Sequence, residues 1–536
     1  MTFDKSRRVF LQGLGSAGIA GISGCCTNAP GIVEDATDAL EIGFSPLAPA
    51  SINSSLRLTT RVIDPHCHLF NASDVQVGGY LAGPIANNLP SSIRWLVKGL
   101  APIVEAFAKN IAISAYKEMQ QLNDLQQELL TAGLTDGESV IDKQIDEHRQ
   151  LIAKELAAEI QGTDLERRIN EHLVGLAAVN AGFSAGFSER YLLETFRRED
   201  DLTVDSAALL RDPSGSADRS GSIFAFVAHM LSPRYHNLRK YQKAYSTSDD
   251  AIGIDTCLAS LVDFDYWLGS CDHPVSHMRD QIILHQRISE LSNNYMYPIV
   301  AYNPWTDIKE NDASLTMVVD AVKNRGFKGV KIYPPMGYFP RGNAGNPGYP
   351  NDAEHPDLAL LDAKLNAMFE ECRSLDVPVM AHSDESMGRL PSHNKLGGPS
   401  GWEAFYREPG NRAARINLGH LGGESGGGSR GNWSADFVQM MGQADNLYGD
   451  LGFWDGLVEG NQQAAERMKS LLGLRLSDTE VAADRLMFGT DWFMLSQKPG
   501  WKSYAVRFQH VLKEIGVDDV ILEKLFSSNA RRLFKL

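Results

Sequence analysis

Cysteine is scarce, with six in 536 residues. A chain this long with so few is not a disulfide scaffold. Long apolar runs are missing, which excludes a multi-span membrane protein. Positive charge is in deficit: 51 Lys and Arg stand against 67 Asp and Glu, a formal charge of −16. That balance argues against non-specific binding to nucleic acid. There is no internal repeat and no sustained heptad. The glycine-dense stretch from Gly422 to Gly428 lacks the Gly-Lys-Ser/Thr of a phosphate loop and reads as a loop after a strand. What remains is ordinary for a globular chain, at 43% hydrophobic and 22% charged. There is material for a large core.

The N-terminus reads as an address. Arg7 and Arg8 precede an apolar, Gly-rich stretch from Phe10 to Ile22, too short to span a bilayer. The stretch resembles a twin-arginine export signal, with Gln12 where Lys is common. Ile22-Ser23-Gly24-Cys25 then resembles a lipoprotein signal-peptidase box, with Cys25 as the lipidation site. Residues 1–24 are read as the signal and 25–60 as a flexible tether. The mature protein is then expected in the periplasm or cell envelope, held to a membrane through Cys25.

From Arg61 the texture changes. A short strand, 61–68, ends in His66-Cys67-His68. Further strands are expected at Thr256–Phe264, Tyr297–Tyr302, Phe327–Tyr333, Val377–His382, Arg415–Gly419, Asn446–Leu451 and Arg485–Thr490, separated by helical patterns. Eight strands alternating with helices predict a closed (β/α)8 TIM barrel built from 61–75 and 250–536. Residues 76–249 form a helical insertion after the first strand, with apolar residues at i, i+3/i+4 in Ile93–Gln127 and Ile141–Ile160. Emerging from a βα loop, it belongs to the catalytic face, as a lid over a pocket or as an oligomer surface.

Side chains alternate along a strand. On that rule Val62, Asp64, His66 and His68 share one face of the first strand, and Cys67 points away. Two imidazoles about 6–7 Å apart along a strand can serve one metal ion. His382 ends the fifth strand, His420 the sixth and Asp491 the eighth, while Lys331 and Tyr333 share the inner face of the fourth. In a TIM barrel all of these fall on the inner face or the mouth, where function concentrates. Arg389, just past His382, is a further candidate for substrate binding.

The stretches IDPHCHLF (63–70), GFKGVKIYPP (326–335), VPVMAHS (377–383), INLGHLGG (416–423), LMFGTDW (486–492) and SSNARRLF (527–534) resemble the amidohydrolase-related, or amidohydrolase type 2, family of metal-dependent TIM-barrel hydrolases. The resemblance implies His66, His68, His382 and Asp491 as metal ligands. It implies His420 as a neighbouring catalytic or substrate-polarising imidazole; beside a metal-bound water, Asp491 can hold the water's proton and pass it to a leaving group. Three imidazoles and a carboxylate suit one divalent ion, zinc before manganese or iron. Lys331 has three readings: a binder of a substrate carboxylate, a partner for an internal acid such as Asp64, or a carboxylated bridge to a second ion.

Three functions fit this reading. Metal-activated water could attack an ester, lactone or amide carbonyl of a small molecule. The same centre could orient an unsaturated or aromatic acid for decarboxylation, which needs cations such as Lys331, Arg389 or Arg341 near the metal. A catalytically silent metal-binding lipoprotein is the alternative outside enzymes. A homo-oligomer is compatible with all three.

Overall fold

The computed structural model describes residues 45–48, 61–131, 137–179, 186–200, 219–246, 253–268, 274–424 and 432–536. The twin-arginine and Cys25 motifs, most of the 25–60 tether and the glycines after Glu424 lie outside these residues. No helix among the described residues is long and apolar enough to cross a membrane.

Eight strands form one sheet: β1 (Ile63–His68), β2 (Thr256–Ser260), β3 (Met296–Ala301), β4 (Val330–Ile332), β5 (Val379–His382), β6 (Ile416–Gly419), β7 (Leu447–Asp450) and β8 (Leu486–Met487). Each is parallel to the next and they pair in chain order. The barrel closes at its mouth rather than along β8. The Asp491 N–H donates to the His66 carbonyl at 2.7 Å, the His68 N–H donates to the Trp492 carbonyl, and Cys67 bridges Trp492 in parallel. The chain is therefore a (β/α)8 barrel, as its strand spacing predicts.

β8 is shorter than expected because its backbone donors go elsewhere. The Phe488 N–H donates to the Leu525 carbonyl and the Thr490 N–H to the Asp64 carboxylate, so no ladder continues past Met487. The barrel floor is apolar: Ile63, Leu258, Ile299, Met380, Tyr448 and Met487 meet inside, and Leu533 and Phe534 of the C-terminal helix Asn529–Phe534 plug the bottom. Polar side chains are thereby confined to the upper half.

The alternation expected for β1 fails at Asp64. The β1–β2 register shifts between Asp64 and Cys67. Pro65 lies within that break and has no N–H for the ladder. Ile63 faces the interior with the floor residues, and His66 and His68 also face in. Asp64 instead turns to the outer side, where its carboxylate accepts from the Tyr241 hydroxyl (2.7 Å) and from the Thr490 hydroxyl (2.6 Å). Burial pushes its pKa up to about 6 despite these bonds. Asp64 is thus a clamp between β1, the end of β8 and the insertion, and it is not a partner for Lys331.

The insertion is helical: α1 (Ser91–Asn110), α2 (Ala115–Thr131), α3 (Gly137–Ile160), α4 (Asp164–Val179), α5 (Glu189–Asp200), α6 (Arg219–Leu231) and α7 (Arg234–Ala244). It is pinned to the barrel by a buried ion network. Arg234 donates to Asp74 after β1 and to Glu118 on α2 (2.7 Å), and its guanidinium also reaches Ser73 and Ser276. All three charged side chains are fully buried.

Candidate metal centre

His66 sits at the centre of the mouth because its neighbours leave room for it. A Cβ on Gly452 would lie 2.9 Å from His66 Nδ1, and one on Gly419 would lie 3.1 Å from its Cε1. Only glycine at these two positions lets the ring stand upright between β6 and the end of β7. His66 Nδ1 donates to Asp450 Oδ1 at 2.7 Å. That bond places the proton on Nδ1 and leaves the Nε2 lone pair facing inward, buried and without a partner. Nε2 lies 3.4 Å from Asp491 Oδ1.

The same arrangement recurs twice. His68 Nδ1 donates to the Ser260 carbonyl at 3.0 Å, and its Nε2 is 3.3 Å from Asp491 Oδ1. His420 Nδ1 donates to the Gly452 carbonyl at 2.8 Å. In each ring the outer nitrogen is held as N–H by a fixed acceptor, and the inner one offers a lone pair. This is how metal-ligating histidines are oriented. The donor atoms of His66, His420 and Asp491 all lie within 4.8 Å of one another. His382 is alongside, its ring 4.6 Å from that of His420 and stacked on Tyr333, with Nε2 3.2 Å from the Ser386 hydroxyl. A divalent ion fits this donor set: three lone pairs aimed at one carboxylate, with a buried nitrogen that otherwise bonds nothing.

Electrostatics favour the ligating protonation states. Burial drives His66 down to about 4 and lowers His68 and His382, so all three stay neutral. Burial opposes ionisation of Asp450 and Asp491. The hydrogen bonds that Asp450 accepts from His66 Nδ1 and the His420 N–H outweigh this for Asp450. The imidazoles that surround it do so for Asp491. His420 and Asp491 both have left-handed backbones, at φ 65° and 56°. Such strain in non-glycine residues costs of order 1–3 kcal/mol and persists where the surroundings dictate it. Here the Trp454 indole N–H holds the His420 carbonyl at 3.0 Å.

Asp450 is the residue that the sequence reading missed. It alternates with Tyr448 and ends β7, as His382 ends β5, while His420 follows the end of β6. Its second oxygen accepts from Asn417 (2.7 Å), and its first also accepts from the His420 and Gly452 N–H groups (both 3.1 Å). Lys331 faces in from β4, 1% exposed, with no partner at Nζ. Burial lowers its pKa to about 8. Arg389 is turned away: it donates to the Glu354 carbonyl at 2.6 Å and stands over Trp305. Arg341 pairs with Glu408 on the outside.

Above the centre is a cavity of about 460 Å³. His68, Tyr333, His382, His420 and Asp491 form its floor, and the insertion supplies an apolar wall of Tyr80, Ile85, Leu89, Ile93 and Ile223. Its remaining charged lining is Asp384, Glu424, Asp455 and Lys498, with Lys498 paired to Asp455.

Residues 305–536 match the family model described as amidohydrolase. This stretch belongs to the amidohydrolase family. Within the amidohydrolase part lie Lys331, His382, His420, Asp450 and Asp491, while His66 and His68 precede it. Among solved structures, the chain is similar to an uncharacterised TIM-barrel protein from Bordetella bronchiseptica (16% identity, 63% of this chain and 92% of that one, TM-score 0.36). It is also similar to a probable 2-pyrone-4,6-dicarboxylic acid hydrolase from Acinetobacter baumannii (11% identity, 53% and 84%, TM-score 0.34). A third is 2,6-dihydroxybenzoate decarboxylase from Rhizobium (18% identity, 55% and 86%, TM-score 0.31). No curated relative matches the chain.

Proposed function

We propose that this protein is a metal-dependent hydrolase acting on an uncharged ester, lactone or amide of a small, largely apolar molecule. The observation that carries this reading is the charge of the cavity. Among the described residues its lining contains one cation, Lys498, already paired with Asp455; Lys331 faces in from β4 but does not line the cavity, and Arg389 and Arg341 face elsewhere. An acidic, apolar-walled cavity favours a neutral carbonyl compound over an aromatic or unsaturated acid.

On the family resemblance we assign His66, His68, His382 and Asp491 to one divalent ion, most readily zinc; by distance His420 competes with His382, since its donor atom lies within 4.8 Å of those of His66 and Asp491. When bound, such an ion supplies Lewis acidity, lowering the pKa of water to about 7 and polarising a carbonyl. Asp491 Oδ accepts the proton of the attacking water and returns it to the leaving group. The Gly452 carbonyl fixes the His420 tautomer, so its Nε2 lone pair can accept a hydrogen bond from the attacking water and orient it. Asp450 holds His66 in place. The insertion's apolar wall binds the substrate body and excludes water. We read Arg7, Arg8 and Cys25 as export and anchoring signals, so the substrate would be met in the cell envelope.

The test uses zinc-loaded protein against a panel of neutral aryl esters and lactones beside hydroxybenzoic acids. Hydrolysis of the neutral panel without CO2 release is expected. CO2 release from the acids without hydrolysis would overturn the reading, and a metal-loaded protein inert to both would favour the silent binding module. Zinc retained by His420→Ala and lost by His382→Ala is expected. The opposite pattern would exchange the roles of those two imidazoles.

A further inference from the structure

A carbonyl oxygen under attack gains negative charge and is stabilised by hydrogen-bond donors aimed at it. The imidazoles of the catalytic cavity supply none. His68 and His420 direct their N–H groups outward, to the Ser260 and Gly452 carbonyls, so each turns a lone pair inward. The carboxylates of Asp384, Asp455 and Asp491 are acceptors. Glu424 turns one oxygen to the Gly456 N–H and buries the other.

The other side-chain donors of the lining already point at protein groups. Asn88, Trp454, Gln497 and Lys498 donate to Pro84, His420, Met494 and Asp455. The Tyr80 hydroxyl faces Met494 Sδ at 3.5 Å, and that of Ser386 faces His382. Tyr333 differs. Its backbone N–H donates to the Tyr338 hydroxyl at 2.8 Å, but its own hydroxyl has no hydrogen-bond partner among the described residues. A tyrosine this buried ordinarily bonds its hydroxyl. Tyr333 is 8% exposed, and that exposure is to the cavity it lines. Its ring is fixed on two sides, stacked on His382 at 4.6 Å between centroids and meeting Phe264 edge-on at 5.1 Å. Burial raises its pKa, and Tyr80, Asp491 and Asp384 nearby add to this, so the phenol keeps its proton.

We propose that Tyr333 donates a hydrogen bond to the carbonyl oxygen of the substrate and holds the charge that forms there; this rests on the hydrolase reading above. As the water oxygen bonds to the carbonyl carbon, the π pair moves onto the carbonyl oxygen and the water proton passes to Asp491. Tyr333 keeps its own proton throughout and shortens its bond to the oxyanion. Collapse restores the carbonyl, breaks the bond to the leaving alcohol or amine, and returns the proton from Asp491 to that group. The division of labour follows from the donors and acceptors: His420 and Asp491 accept from the water, and Tyr333 donates to the carbonyl.

Tyr333→Phe keeps the ring and its stack on His382 and removes only the hydroxyl. Infrared spectra of acetophenone with the zinc-loaded full chain read the donor without turnover. The carbonyl band of the bound probe should lie at lower frequency in wild type than in Tyr333→Phe, at equal zinc content. On a neutral ester that the wild type hydrolyses, kcat of the variant should fall about 10²- to 10³-fold with KM little changed. The absence of a difference between the two bands, or an unchanged kcat, would overturn the proposal. Loss of zinc from Tyr333→Phe would overturn it too, by showing that the hydroxyl serves the ligand His382. A band difference in a protein that hydrolyses no ester would sink the hydrolase reading and keep the donor.

Discussion

At the residue scale the centre depends on where protons sit. His66 can offer Nε2 inward only while Asp450 takes its Nδ1 proton. Replacing Asp450 with Asn keeps an acceptor oxygen but removes the charge that fixes the tautomer. Zinc affinity of Asp450→Asn, read by competition with a chelator, should fall about 10- to 100-fold while the far-ultraviolet dichroism stays unchanged. Asp491→Asn differs in kind: it leaves a weak ligand but no proton carrier. Turnover on the substrate found in the panel should drop about 10²- to 10⁴-fold. Wild-type rates in this variant would assign the base elsewhere. His66, His68, His382, His420 and Asp491 were legible because each stands near or just beyond the C-terminal end of a strand in a chain of regular βα spacing. Asp450 ends a strand as well, but aspartate after Gly449 also reads as the start of a loop, and only the bond to His66 distinguishes the two.

At the element scale the insertion is held by charge where a helix pair would ordinarily rely on apolar contact. Arg234 is buried against Asp74 and Glu118. Arg234→Met would leave two buried carboxylates without a countercharge and should cost about 3–5 kcal/mol in urea unfolding. Because the same insertion walls the catalytic cavity, turnover should fall with it. His148 makes a second, pH-dependent contribution. Burial lowers its pKa from 6.5 to about 4. Between those values the unfolded chain binds a proton that the folded one refuses, so stability is complete above pH 6.5 and declines towards pH 4. The difference between wild type and His148→Gln in unfolding free energy should shrink over that window, by up to about 3 kcal/mol. A difference independent of pH would show that His148 titrates normally. The helical periods of α2 and α3 are visible in the sequence. That their facing stripes enclose a cavity is not, because the stripe of a surface helix and that of a polar cleft have the same pattern.

At the scale of the whole molecule, delivery and chemistry are separate questions. If Arg7 and Arg8 form an export signal, the double variant Arg7→Lys/Arg8→Lys should leave the precursor in the cytoplasm, since lysine does not reproduce the planar guanidinium fork. If Cys25 carries a lipid, Cys25→Ala should release the mature protein from membranes. Cell fractionation reads both: normal delivery of the first variant would sink the export signal, and detergent-free solubility of the wild type would sink the anchor. Export in the folded state would let the metal be loaded inside the cell. By itself the sequence determined the barrel, because strand and helix periods repeat along the chain and eight such units have one way to close. It also determined which imidazoles and carboxylate stand at the mouth, because a strand end fixes position. Tertiary structure alone decided their orientation. The break at Pro65 turned Asp64 outward, Asp450 and two backbone carbonyls set the histidine tautomers, and Arg389 was drawn off to Glu354. These outcomes depend on contacts between residues far apart in the chain, so no local pattern encodes them.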